Sequence, residues 1–118
     1  MATIAQTSLR GNGPVTVTTT AGSGASDTLV YAPNTMQVLE IRNTTAGSIN
    51  VVIDGAGATT ISPPGYGGTV DISTGKTIAV PANSTVLVNL DSISAYLQGS
   101  IAITGGTAGQ IVYALYGI

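Results

Sequence analysis

The chain has 118 residues and a net charge of -2, and only 7% of it is charged, against about a quarter in an ordinary domain. It contains no Cys, His, Trp or Phe, which excludes disulfides, zinc or haem held by Cys or His, and any Ser-His or Cys-His nucleophile pair. Its bases, Arg10, Arg42 and Lys76, stand far apart and form no phosphate-binding surface, so nucleic acid is not an expected partner.

Taken in chain order, the pattern is β almost throughout. Residues 1–13 carry one charge, at Arg10, and separated apolar residues at Ile4 and Leu9. They read either as an edge strand or as an arm that docks on a neighbour by strand addition, with Ile4 in a pocket and Arg10 paired to an acid. Residues 14–118 read as a single domain. Asn12-Gly13 signals a tight turn, and Val15 and Val17 alternating with threonines predict a half-buried strand through Thr20. A Gly/Ser loop follows, then a short strand over Thr28 to Tyr31 and a turn at Pro33-Asn34. Met36 to Arg42 predicts a strand with Gln37, Leu39 and Ile41 on one face and Met36, Val38, Glu40 and Arg42 on the other.

Ile49, Val51 and Ile53 form the next inward-facing set, closed by Asp54-Gly55. Pro63 to Gly68 cannot be strand interior, and Tyr66 inside it is expected at an exposed loop tip, as a contact for protein or sugar. Val70 with Ile72, Ile78 with Val80, and Val86 with Val88 and Leu90 continue the alternation. The segment 92–98 departs from it. Asp91 as N-cap, apolar residues at Ile93, Tyr96 and Leu97, and Gly99 behind them predict one short helical turn. Ile101 with Ile103 and Ile111 to Gly117 supply the last two strands. Ile111 to Tyr116 is apolar on both faces, which fits either a central strand covered on its outer side or a subunit contact through Val112 and Tyr116. About nine or ten short strands with regular turn signals predict an all-β fold: a small two-sheet sandwich, jelly-roll-like.

Chemistry has few residues to work with. Most of the acids, Asp27, Glu40, Asp54, Asp71 and Asp91, adjoin turn residues, where a carboxylate satisfies backbone N–H groups. No catalytic residue is therefore expected, and no enzyme. Asp54-Gly55 offers an oxygen or two to calcium, but a usable site needs about six, so no metal and no cofactor are expected. No Gly-x-Gly pair both follows a strand and opens a helix, which leaves them as turns. Asn43-Thr44-Thr45 and Asn83-Ser84-Thr85 match the glycosylation pattern, and chance accounts for both in so Thr/Ser-rich a chain. Mean hydropathy is +0.41, yet the longest apolar run, Ile111 to Tyr116, falls far short of the roughly 20 residues of a spanning helix. The first residues show neither the basic nor the apolar region of a secretory signal. Membrane association is not expected. So little charge gives copies little mutual repulsion and favours residence in an assembly.

The stretches Ala5 to Gly11, Ala25 to Leu29, Ile41 to Thr45, Val52 to Gly57 and Leu90 to Gly99 resemble the small capsid decoration proteins, also called cement or staple proteins, of tailed bacteriophages. The resemblance implies a β-sandwich on the outer surface of the virion capsid, across capsomer junctions, with no cofactor and no reaction. The expected partners are the major capsid protein and further copies of the chain, as a homodimer or homotrimer. Interface candidates are Ile4, Leu9, Arg10, Tyr66, Val112 and Tyr116. The alternative is a carbohydrate-binding β-sandwich module, which would need coplanar aromatics in a chain without Trp.

Overall fold

Alternation of β-branched and polar residues produces strands joined by glycine, proline and asparagine turns. The computed structural model describes residues 2–10, 13–24, 26–33, 35–65, 67–105 and 110–117. Among these the strands are β1 (Gln6–Ser8), β2 (Thr19–Ala21), β3 (Asp27–Leu29), β4 (Val38–Asn43), β5 (Ile49–Gly55), β6 (Thr60–Ile61), β7 (Val70–Asp71), β8 (Lys76–Val80), β9 (Thr85–Asn89), β10 (Ile101–Thr104) and β11 (Ile111–Gly117). A 3₁₀ stretch spans Leu90–Tyr96. No helix among the described residues is long and apolar enough to cross a membrane.

One sheet has five strands in the order β1-β11-β4-β9, with β2 also on β11; the other has four, β3-β10-β5-β8. The chain crosses between sheets from β2 to β3, β3 to β4, β4 to β5, β8 to β9, β9 to β10 and β10 to β11, which is the winding of a jelly roll. The pair β6-β7 forms a small flap between β5 and β8. Alternation sets the core: Leu39 and Ile41 of β4, Val51 and Ile53 of β5, Ile101 and Ile103 of β10, and Ile111, Tyr113 and Leu115 of β11 meet between the sheets. Gln37 is buried beside them, its amide donating to Gln6 Oε1 (2.7 Å) and Val30 O (3.0 Å).

The predicted strand over Val15 to Thr20 forms only at its end, and Val15 and Val17 are 43% and 41% exposed. The reason lies in the register. Thr19 pairs with Ala114 in antiparallel order, so continuing backwards would place Val17 opposite Tyr116, but Thr7 of β1 already holds that position in parallel order. Thr18 N–H donates to Thr7 Oγ1 (3.0 Å) where one segment hands the edge to the other. That continuation would also turn threonines toward the core, whereas the N-terminal segment supplies Ile4, 2% exposed.

The helical turn forms as predicted but starts earlier. Asn89, not Asp91, caps it by accepting from Asp91 N–H (3.1 Å), and the turn kinks at Ile93. Asp91 accepts instead from the Tyr31 hydroxyl (2.7 Å), a bond that, with burial, raises the Tyr31 pKa. The exit of this turn lies against β5, where a Cβ on Gly55 would sit 2.5 Å from Tyr96 O and from Gln98 N and O. Only glycine fits there.

Candidate functional site

The N-terminal segment is built into its own sandwich. Ile4 N–H donates to Thr28 O (2.8 Å) and Thr28 N–H to Ala2 O (2.9 Å), which ties residues 2–4 to β3 of one sheet. Residues 6–8 pair with β11 of the other sheet, and Leu9 N–H donates to Gly117 O (2.7 Å). The segment thus straps the two sheets along one side. Ile4, expected in a partner's pocket, fills this chain's core because the strap places it between the sheets. Asp27 anchors the strap, accepting from Ala2 N–H (3.1 Å) and Ser23 N–H (3.2 Å). Burial pushes its carboxyl up, but the hydrogen bonds from Ser23 and Ala2 outweigh that and hold it below the usual 3.8.

Past the strap, the outer face of the five-stranded sheet carries an apolar groove of about 360 Å³, lined by Leu9, Val38, Glu40, Leu87 and Tyr116. Register explains the convergence: Tyr116 lies opposite Val38, and Glu40 lies between Ala114 and Leu87. Leu87 is 64% exposed and Leu9 48%. The Tyr116 hydroxyl donates to Glu40 Oε2 (3.4 Å), and burial together with the Glu40 charge raises the phenol pKa. Arg42 approaches Glu40 at 4.0 Å. The charges of this face are thereby paired internally and its open surface is apolar.

Of the interface candidates, the fold brings Leu9 and Tyr116 together. Val112 lies on the same face but outside the groove, half-buried opposite Arg42 and Ala21. Arg10 is exposed and not in an ion pair among the described residues; Tyr66 lies outside the described residues. β11 is a central strand with both edges paired, and Ala114 on its outer side is buried. Leu87 and Val38 escaped the sequence reading, although an apolar residue at the outward position of the Val86-Leu87-Val88 alternation was the available signal.

A second cleft, of about 410 Å³, opens beside Tyr31, Leu97 and Ile101. Two of its hydroxyls are spent internally, Tyr31 on Asp91 and Thr28 on Ile101 O (2.8 Å). No protein-family model matches the chain, and neither a curated protein nor a solved structure is similar to it at a significant level. Asn43 is no acceptor for a glycan: its buried amide donates to Gly47 O (2.8 Å), Val80 O (3.1 Å) and Pro81 O (3.2 Å). Among the described residues no three His, Cys, Asp or Glu side chains gather as metal ligands.

Proposed function

We propose that the chain is a structural virion protein that binds the outer surface of a phage head and cements neighbouring major capsid subunits. The observation that carries this is the apolar groove, whose neighbouring charges, Glu40 and Arg42, are already engaged with each other. Such a face offers a protein surface apolar burial and asks it for no countercharge. The jelly-roll winding supports the same reading, since capsid domains use it, although fold alone does not fix function. The sequence stretches that resemble decoration proteins add to it. Weak contacts repeated over a lattice sum through multivalency, so each copy needs little affinity.

The test is purification of particles from the source, followed by mass spectrometry of their shells. The chain should travel with the shell in a fixed ratio to the major capsid protein, and Tyr116→Lys should lower that ratio at least tenfold. A chain found only in the soluble fraction overturns the capsid role. A carbohydrate-binding module is the second reading, favoured by Tyr116 lying beside Glu40 in the groove. Retention on immobilised glycans that Tyr116→Ala abolishes would select it.

A further inference from the structure

We infer that β9 is a docking edge for β9 of a second copy, giving a two-fold dimer in which the two five-stranded sheets become one. Two hydrogen bonds fix the phase of this strand against β4. Asn43 N–H donates to Ser84 O (2.9 Å) and Leu90 N–H to Gln37 O (3.0 Å). In an antiparallel ladder the main-chain groups alternate in direction. Residues 84, 86, 88 and 90 therefore turn toward β4, and Thr85, Leu87 and Asn89 turn their N–H and C=O groups outward. Among the described residues no strand pairs with that side of β9.

These outward groups are self-complementary. A two-fold axis through Leu87 sets Leu87 against Leu87 of the other copy and Thr85 against Asn89, so the Leu87 and Asn89 N–H groups of each copy find the Leu87 and Thr85 carbonyls of the other. The Asn89 carbonyl is occupied, by the Ser92 hydroxyl (2.6 Å) and by the first bond of the 3₁₀ stretch that Asn89 caps, so it takes no part in the pairing. Nothing on the strand discourages pairing. Edges are ordinarily guarded by charge, proline or a bulge, but Thr85-Val86-Leu87-Val88-Asn89 has neither charge nor proline and its register is unbroken. The edge of the other sheet on this side, β8, begins with an exposed Lys76.

The same operation explains the exposure of Leu87. Its side chain would meet its symmetry mate, and the two apolar grooves would join into one band across the dimer. The nearest like charges are the two Glu40 side chains. They lie in one row, three strand spacings or roughly 14 Å apart, beyond the screening length of about 8 Å at physiological salt. Stable association needs roughly 500 Å² from each copy, under a tenth of the 6355 Å² surface.

This deepens the self-association within the proposed function and is independent of the capsid. The test is light scattering on the purified full chain between about 10 and 200 µM. The expected mass is twice the 11.6 kDa of one chain. Leu87→Pro removes an N–H that no bond among the described residues uses, and Leu87→Lys sets two charges face to face; each should weaken dimerisation at least tenfold while circular dichroism keeps its β spectrum. If the proline variant fails to fold, the lysine variant decides alone. A monomer throughout the range, or a folded lysine variant that remains dimeric, overturns the inference. A monomer whose shell binding is lost with Leu87→Lys assigns the edge to the capsid protein and overturns it as well. A dimer that fails to bind shells leaves this inference standing and removes the capsid role.

Discussion

The two long sides of the sandwich are built alike and finished differently. Each is a pair of edge strands, one from each sheet: β1 and β2 near β3 on one side, β9 near β8 on the other. On the first side the chain covers itself. Residues 2–4 add to β3, residues 6–8 add to β11, and the strap buries its own Ile4 and Thr7. On the second side the Pro81–Ser84 turn joins β8 to β9 and no further strand of the described residues is added. A sheet edge is a liability that must be covered or guarded. Here a whole segment of chain covers one side, and the other is left with an uncharged strand. Such an asymmetry separates a side kept for stability from a side open to partners.

Removing the strap should have the largest effect. Deleting residues 2–9 empties the Ile4 site, which alone is worth about 2–5 kcal/mol, and strips β11 of its parallel partner. Since domains are stable by about 5–15 kcal/mol, the truncated chain should melt far below the intact one or fail to fold. A scanning calorimetry trace with an unchanged melting temperature would show that the strap is not structural.

On the other side the comparable anchor is a single side chain. Asn43→Ala removes the amide whose two N–H groups serve the Gly47, Val80 and Pro81 carbonyls, and leaves buried carbonyls short of a donor. A loss of about 2–3 kcal/mol in urea denaturation is expected, and a change below about 0.5 kcal/mol would mean the turn holds without it.

Acid should discriminate between the sides. The Asp27 carboxyl is held below its unfolded value of 3.8, so its contribution is complete above that value and lost as pH falls through the lower folded value. The melting temperature should therefore drop below about pH 4, and Asp27→Asn should flatten that part of the curve. An identical acid limb in both proteins would place the sensitivity elsewhere. The smallest effect on the fold belongs to Leu87→Lys, an exposed change expected to stay within about 0.5 kcal/mol even though it removes the docking edge.

A further substitution sharpens the view of the core itself. The Tyr113 hydroxyl is buried with no hydrogen-bond partner among the described residues, and burial with the nearby Asp27 charge pushes its pKa up to about 12. Tyr113→Phe should be neutral or stabilising by up to about 1 kcal/mol, because it removes a stranded polar group. A loss of stability in thermal melts would reveal a partner for that hydroxyl.

The all-β sandwich was legible because alternation reports faces: Gln37, Leu39 and Ile41 are inward as their spacing requires. Competition between segments is not written in any local window. Val15 and Val17 have the better strand pattern, yet Thr7 holds the position they would need on β11. Asn43 looked like a turn residue because its three acceptors come from residues 47, 80 and 81. The groove was half legible: Leu9 and Tyr116 were identifiable as exposed apolar candidates, but their meeting with Leu87 depends on the order of strands in the sheet.

The parallel pairing of β1 with β11 joins the first strand of the described residues to the last. Because β11 lies between β4 and the β1/β2 edge, a nascent chain that has not yet released residues 111–117 lacks the centre of its larger sheet. The five-stranded sheet cannot close until residues 111–117 have left the ribosome. Until then residues 6–8 and the β11 side of β4 stand unpaired, in the exposed state from which β proteins aggregate, and the long-range pairing that follows belongs to the slow, millisecond-to-second class. Ribosome-bound chains truncated before Ile111 should accordingly be cut by protease at many points, and the released full-length chain at few.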